Sequence, residues 1–206
     1  MKTRVGILIS GRGSNMQALI RAAARDDFPA TIALVLSNRA DAAGLDIARQ
    51  HGIAAHAIPS RDFRNDREGH EACLHQELIA ANCSLVCLAG YMRLLTPAFV
   101  QSWAGRMLNI HPSLLPSFPG LDTHARALAA GSRIHGCTVH LVTGIMDEGP
   151  ILAQAAVPVL PGDTESELGA RVLAQEHIIY PMALRHYLGQ PAIPADASNA
   201  LVSPCA

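Results

Sequence analysis

Asn109 and His111 stand two residues apart in the run Met107-Leu108-Asn109-Ile110-His111, and on an extended segment that spacing sends both side chains to the same side. One supplies an amide donor and the other a titratable imidazole, a pairing suited to holding developing negative charge and handling a proton. Pro112 ends the strand, which leaves both groups near a strand terminus, the usual place of chemistry in open α/β sheets. A buried His111 satisfied by a neighbouring carbonyl explains the same residues equally well, and at this point both readings stand. Asp147, in the turn Ile145-Met146-Asp147-Glu148-Gly149-Pro150, is a third group with acid chemistry, but a turn acid is ordinarily solvated and nothing in the spacing brings it to His111. His124, His135, His140 and His177 carry no local feature that would make them catalytic rather than structural.

A second constellation is Ser10-Gly11-Arg12-Gly13-Ser14-Asn15, between the first apolar run and the first helical pattern. Backbone N–H groups and the helix dipole converge there on an anion, and phosphate is the natural ligand. The alternative is a plain strand-to-helix turn, with glycine for a positive φ and Ser or Asn as a cap. Met16 stands where a dinucleotide fingerprint has its third glycine, and the loop lacks the Gly-Lys-Ser/Thr ending of a P-loop, so nicotinamide and ATP chemistry are disfavoured.

Metal chemistry has little support. His70, Cys73 and His75 are close in sequence, but the segment reads as a helix whose faces separate the two histidines. The five cysteines, Cys73, Cys83, Cys87, Cys137 and Cys205, contain no CxxC pair and are odd in number, so neither a disulfide framework nor a zinc ribbon is indicated.

The elements that must position these groups alternate. Apolar runs at 4–9, 32–36, 85–89 and 107–110 read as strands buried on both faces, separated by helical patterns at 15–25, 42–51, 66–81 and 97–103. This is the βαβ signature of an α/β fold with a mostly parallel central sheet, its right-handed crossovers placing helices on both faces. Pro112, Pro116 and Pro119 make 111–120 a loop, followed by a helix at about 123–130. Runs at 137–142 and 151–159, joined by the turn 144–149, predict an antiparallel hairpin near the C-terminal end. Thr164 and Glu167 have capping-box spacing and open a last helix through Leu168, Val172, Ile179 and Ala183, with a kink expected at Pro181. From residue 190 the sequence is rich in Pro, Ala and Ser, and a loosely ordered tail is expected.

The chain has 206 residues, enough for one large α/β domain, and at 50% hydrophobic and 16% charged residues it can build a core. A net charge of −1 argues against a general nucleic-acid surface. The opening residues are too soon interrupted by Gly11, Arg12 and Gly13 for a signal peptide, and no apolar run reaches membrane-spanning length. A soluble cytoplasmic protein, with no membrane or nucleic-acid partner, is the expectation.

In order along the chain, SGRGSN, LAGYMRLLTP, NIHPSLLPSFPG, HGCTVHLVT, MDEGPILAQ and QEHIIYP resemble the motifs of glycinamide ribonucleotide formyltransferases, over about residues 4–188. NIHPSLLP alone marks the wider folate-dependent formyltransferase group, and the glycine loop is what points to a ribonucleotide. The resemblance implies a Rossmann-like formyltransferase fold, a single domain over 1–189 with the tail at 190–206, and 10-formyltetrahydrofolate as co-substrate without metal. The reaction implied is transfer of its formyl group to the amine of glycinamide ribonucleotide, in de novo purine biosynthesis. The partners implied are small molecules, with a homodimer left open.

By the same resemblance Asn109, His111 and Asp147 are the catalytic residues. Gly13, Ser14, Asn15, Met16 and Gln17 would cradle the phosphate, Glu176 would reach the ribose, and Gly90 and Pro112 would line the approach to the glycinamide arm. Arg67, Met92, Arg93, Leu94 and Leu95, with Asn109 and the loop residues Thr143, Gly144, Ile145, Met146 and Asp147, would bind folate, and Leu88, Phe99, Met107 and Val142 would enclose its pterin. Asp122 departs from the His of many relatives, which bears on a local loop contact, and Arg12 receives no role. Because the substrate amine can attack the formyl carbon itself, no Ser or Cys nucleophile is required. Two alternatives remain. One is a formyltetrahydrofolate hydrolase, whose type usually carries an added N-terminal regulatory domain not seen in this sequence; the other is a non-catalytic phosphate-ligand binding module.

Overall fold

The computed structural model describes residues 1–189 and the backbone of 200–202. The chain forms two compact units, Met1–Leu108 and Asn109–Ala206. In the first unit β1 (Thr3–Ile9), β2 (Ala30–Ser37), β3 (Ala54–Ala57) and β4 (Leu85–Leu88) lie parallel in the order β3-β2-β1-β4. β1 is central, and Val5, Ile7, Leu8 and Ile9 are wholly buried, as a strand covered on both faces requires. The helices are α1 (Ser14–Ala23), α2 (Ala43–Gln50), α3 (Arg67–Ala80) and α4 (Pro97–Ser102).

Local chemistry explains where these helices start. Asp66 caps α3, its carboxylate accepting from Gly69 N–H at 2.8 Å. α4 begins with Pro97 behind the Thr96 cap, where proline's missing N–H costs nothing. α3 then buries His70, Leu74 and Leu78, four residues apart on one face. The strand β3 and a 3-10 turn at Ser60–Phe63 were not expected from the sequence. Ala-Ala-His-Ala is too short and too poor in β-branched residues to announce a strand.

β5 (Met107–His111) crosses the division, contributing Met107 and Leu108 to the first unit and Asn109 to His111 to the second. The second unit continues through α5 (Thr123–Ala129), β6 (Ile134–Leu141), β7 (Ile151–Pro158), α6 (Glu165–Tyr187) and β8 (Ala200–Val202). β6 and β7 form the expected antiparallel hairpin, with Cys137 opposite Ala155. Its turn closes tightly: a Cβ on Gly149 would lie 1.7 Å from the Leu141 carbonyl oxygen, so only glycine fits. α6 packs on both hairpin strands through Leu168, Val172, Ile179 and Ala183, and it is helical through Pro181 to Tyr187.

Of the tail expected to be loosely ordered from residue 190, 200–202 are described as β8, antiparallel to β7 with Ala155 opposite Ala200. Residues 190–199 and 203–206 lie outside the described residues. Among the described residues, no helix is long and apolar enough to cross a membrane.

The α6 capping box is complete: Thr164 Oγ1 accepts from Glu167 N–H at 3.3 Å, and the Glu167 carboxylate accepts from Thr164 N–H at 2.8 Å. Thr164→Ala is expected to lower unfolding stability by about 1 kcal/mol, the usual worth of an N-cap. Urea unfolding measures this, and an unchanged midpoint would show that the box is redundant.

Candidate active site

Asp147, which the sequence left stranded in a turn, folds back against His111. Its backbone is left-handed at φ 58°, a conformation Asp tolerates better than most residues. Its Oδ2 accepts from Gly120 N–H at 2.9 Å and lies 3.5 Å from His111 Nδ1. Both side chains are over nine-tenths buried. His111 Nε2 donates to the Phe118 carbonyl at 3.1 Å, so each ring nitrogen faces an oxygen. His111 is thus a buried histidine satisfied by a neighbouring carbonyl, one of the two readings the sequence left open, and the same ring also meets the Asp147 carboxylate.

Asn109 reaches the same cluster through a residue that sequence reasoning passed over. Its Nδ2 lies 3.2 Å from His140 Nε2, and Asp147 Oδ1 lies 3.8 Å from that same nitrogen. His140 Nδ1 donates to the Leu141 carbonyl at 2.9 Å. Burial lowers the His140 pKa, and the neighbouring His111 lowers it further against the Leu141 carbonyl and Asp147. A neutral ring makes the approach of Asp147 to His140 a close contact rather than an ion pair. The signal for His140 was available, since Gly136, Thr138 and His140 alternate along β6 and two of the three are polar on one strand face.

The proline-rich segment between β5 and α5 is held by two side chains of the hairpin. Thr138 Oγ1 donates to the Ser113 carbonyl at 2.7 Å and accepts from Leu115 N–H and from Gln154 Nε2, each at 3.0 Å. Gln154 Nε2 also donates to the Leu115 carbonyl at 2.8 Å. Ser113 Oγ closes the bend by donating to the Ser117 carbonyl at 2.6 Å, and the Leu115–Pro116 peptide is cis. Thr123 Oγ1 donates to the Pro112 carbonyl at 2.7 Å. The segment thus delivers the Phe118 carbonyl to His111 and the Gly120 amide to Asp147. Asp122, the departure noted above, has φ 55° before α5 and makes no side-chain cap.

In the first unit the glycine loop lines a cavity of about 480 Å³ together with Asn38, Arg39, Ala89, Gly90, Met92 and Arg93. Gly13 is the N-cap of α1 at φ 71°, the conformation for which glycine is suited, and no side chain caps it. Gln17 N–H donates to Gly13 O at 2.9 Å, so this amide belongs to the helix rather than to a ligand. Met16 points into the core, wholly buried, which confines it to a backbone contribution. Ser10 braces the rim: its hydroxyl donates to Asn38 Oδ1 at 2.5 Å and accepts from Met92 N–H at 2.8 Å. Asn38 and Arg39 were missed in the sequence because they follow β2, far along the chain from the loop. Arg39 is itself held by Asp41, at 2.7 Å.

The remaining expected residues divide between the units. Gly90 sits with the glycine loop, whereas Pro112 and Glu176 belong to the second unit, Glu176 being buried on α6. Arg67 opens α3; Met92 and Leu94, after β4, expose 70% and 60% of their surface, a large apolar exposure. In the second unit Ile145 and Met146 are likewise exposed, beside Thr143, whose hydroxyl donates to the Ile145 carbonyl at 3.1 Å. Leu88, Phe99 and Met107 are core residues of the first unit, and Val142 is half-buried.

His70 and His75 do separate: His70 meets the Ile58 carbonyl and the Phe63 ring, and His75 meets Trp103. Burial pushes the Cys83 thiol up to about 11 and Cys137 higher still, so neither is an activated nucleophile.

Comparison with known proteins gives a consistent result. The Formyl transferase family matches residues 3–184. The phosphoribosylglycinamide formyltransferase of Escherichia coli strain K12 is 50% identical over 178 residues, covering 86% of this chain and 84% of that protein. The human trifunctional purine biosynthetic protein adenosine-3 is 47% identical over 184 residues, 89% of this chain but 18% of that much longer protein. The crystal structure of the phosphoribosylglycinamide formyltransferase from Brucella melitensis superposes with a TM-score of 0.87 at 54% identity, covering 95% of this chain and all of that one.

His135 is buried with its Nε2 3.1 Å from His124 Nδ1, and its pKa is pushed down to about 4 by burial and then by His124. In the unfolded chain it titrates near its ordinary 6.5, so as pH falls from 6.5 to 4 the unfolded state binds the proton that the folded state refuses. Stability is therefore expected to fall with acid across that window, and His135→Phe should flatten this pH dependence in urea unfolding. An equally steep slope in the variant would assign the loss to other groups.

Proposed function

Because this chain belongs to the formyl transferase family, we propose that it moves a formyl group from 10-formyltetrahydrofolate to the amine of phosphoribosylglycinamide, a step of purine biosynthesis. The observation that supports this most directly is the Asn109, His111 and Asp147 cluster, assembled from the end of β5 and the β6–β7 turn. Its groups suit acyl transfer to an amine, which needs no protein nucleophile, but does need an oxyanion donor and a path for one proton.

In this reading the glycine loop holds the acceptor's phosphate on the first-turn amides of α1, where the helix leaves donors without internal partners. Asn38 and Arg39 add polar and cationic lining to that cavity. The exposed Met92 and Leu94, and separately Ile145 and Met146, offer apolar surface suited to the flat rings of a folate. A covalently bound cofactor or a metal has no part in the scheme.

The acceptor nitrogen attacks the formyl carbon and the carbonyl oxygen becomes an oxyanion. Asn109 Nδ2 donates to that oxygen, and His111 donates Nε2–H, exchanging it from the Phe118 carbonyl. The Asp147 carboxylate, fixed by the Gly120 amide, balances the charge on a protonated His111 ring. The new ammonium centre then loses one proton, the oxyanion re-forms the carbonyl as the bond between the formyl carbon and the folate nitrogen breaks, and that nitrogen takes up one proton, so the transfer is balanced. Burial of the cluster strengthens each of these interactions relative to water.

The hydrolase alternative is separated by one measurement: folate deformylation should depend on phosphoribosylglycinamide, whereas equal turnover with and without the amine would establish hydrolysis. The dephosphorylated acceptor should bind much more weakly than the phosphorylated one, and equal affinities by calorimetry would make the glycine loop a structural turn. His111→Ala should retain folate binding while turnover falls roughly 10²- to 10⁴-fold, the range for losing an acid/base group. Near-normal turnover in that variant would remove His111 from the mechanism.

A further inference from the structure

We propose that His140 is a positioning residue whose unprotonated Nε2 accepts a hydrogen bond from Asn109 and so fixes which way the Asn109 amide faces. The proposal deepens the reading above, because it rests on Asn109 being an oxyanion donor. It starts from one contact that leaves little choice. His140 Nδ1 lies 2.9 Å from the Leu141 carbonyl oxygen, which only accepts, so this nitrogen carries a hydrogen. The remaining nitrogen, Nε2, lies 3.2 Å from the Asn109 side chain.

Two arrangements satisfy that second contact. In one the ring is neutral, Nε2 accepts, and Asn109 turns its NH₂ toward it. In the other the Asn109 amide is reversed, its oxygen accepts from Nε2–H, and His140 is a doubly protonated cation. The groups around the ring decide between them. His140 is 2% exposed, and a cation so placed loses nearly all its hydration. Facing it are Asn109 and His111 from β5, the Leu141 carbonyl from its own strand and Asp147 from the turn, and its register partner across the hairpin is the apolar Ile151. The Leu141 carbonyl and Asp147 favour the cation, but the carbonyl is satisfied by Nδ1–H in the neutral ring as well, and Asp147 stands 3.8 Å from Nε2 while its other oxygen is engaged by Gly120 and faces His111. Desolvation and His111 both oppose a second proton, and the neutral ring results.

The chemical consequence lies in the amide. An Asn NH₂ carries two hydrogens; with one on His140, the other remains for a substrate oxygen. The reversed amide would offer that oxygen an acceptor, which repels an oxyanion instead of stabilising it. His140 thus acts through Asn109, without touching the reacting atoms.

Nitrogen-15 NMR of the whole protein, labelled at histidine, tests the tautomer before any assay. The His140 signals, assigned by their loss in His140→Gln, should show a protonated Nδ1 and an unprotonated Nε2 at pH 7. A doubly protonated ring or the Nε2–H tautomer would overturn the proposal, whatever the reaction proves to be. In the transfer assay His140→Leu, which has no acceptor, should lower kcat about tenfold to a hundredfold with KM for both substrates little changed, below the 10²–10³ typical of losing the donor itself. His140→Gln, whose side-chain oxygen can accept, should recover much of that loss. Wild-type kcat in the Leu variant, or no advantage of Gln over Leu, would also overturn it. Should the Leu variant fail to fold by circular dichroism, the NMR result and the Gln variant decide. Absence of formyl transfer in the wild type would instead sink the functional reading and leave the hydrogen bond to be judged by NMR.

Discussion

A carboxylate that must be buried without being solvated is the constraint around which the second unit is arranged. Asp147 can reach His111 only if the β6–β7 turn doubles back. That requires a left-handed residue at 147 and a glycine at 149, whose backbone passes against Leu141. Once buried, the charge must be satisfied, and the Gly120 amide and the His111 ring do this. The remaining polar atoms then fall into place in sequence. His111 gives its other nitrogen to Phe118, and Asn109 gives an amide hydrogen to His140, which is tied in turn to Leu141. A chain of single-choice hydrogen bonds of this kind specifies orientation more than it adds stability.

The first unit answers a different requirement with different means. The glycine loop leaves free backbone donors beside open space, because the start of α1 has no side-chain cap and borders a cavity. Gly13 provides the left-handed corner, while Ser10, tied to Asn38 and to the Met92 amide, holds the rim to neighbouring chain segments. Charge is used sparingly: Arg39 in the lining is held by Asp41, consistent with a near-neutral chain that concentrates its attraction locally instead of spreading a basic surface.

Much of this was legible in the sequence, and the boundary of legibility is physical. Strands such as β1 and β4 announce themselves because burial on both faces demands continuous apolar runs, and α6 because Thr164 and Glu167 have cap spacing. Asn109 and His111 were readable as a pair because strand geometry is local. The place of Asp147 was not, since it depends on how a hairpin turn folds over a residue 36 positions earlier, 111 against 147. His140 was overlooked because its significance lies in a tautomer, and tautomers follow from partners that only the fold supplies. β3 and β8 were missed for a simpler reason: strands of four and three residues hold too little pattern to be distinguished from loop.

The segment between β5 and α5 has no regular secondary structure, yet three hydrogen bonds with the Thr138 and Gln154 side chains, themselves bonded to each other, stitch it to the hairpin. Opening it locally means breaking those bonds together and exposing the buried Thr138 hydroxyl, so it cannot fray one residue at a time as surface loops do. In amide exchange the Leu115 N–H would then report the opening of β6 and β7 rather than that of a loop. An irregular segment can in this way borrow the cooperativity of a neighbouring sheet while keeping the backbone that aims its carbonyls and amides.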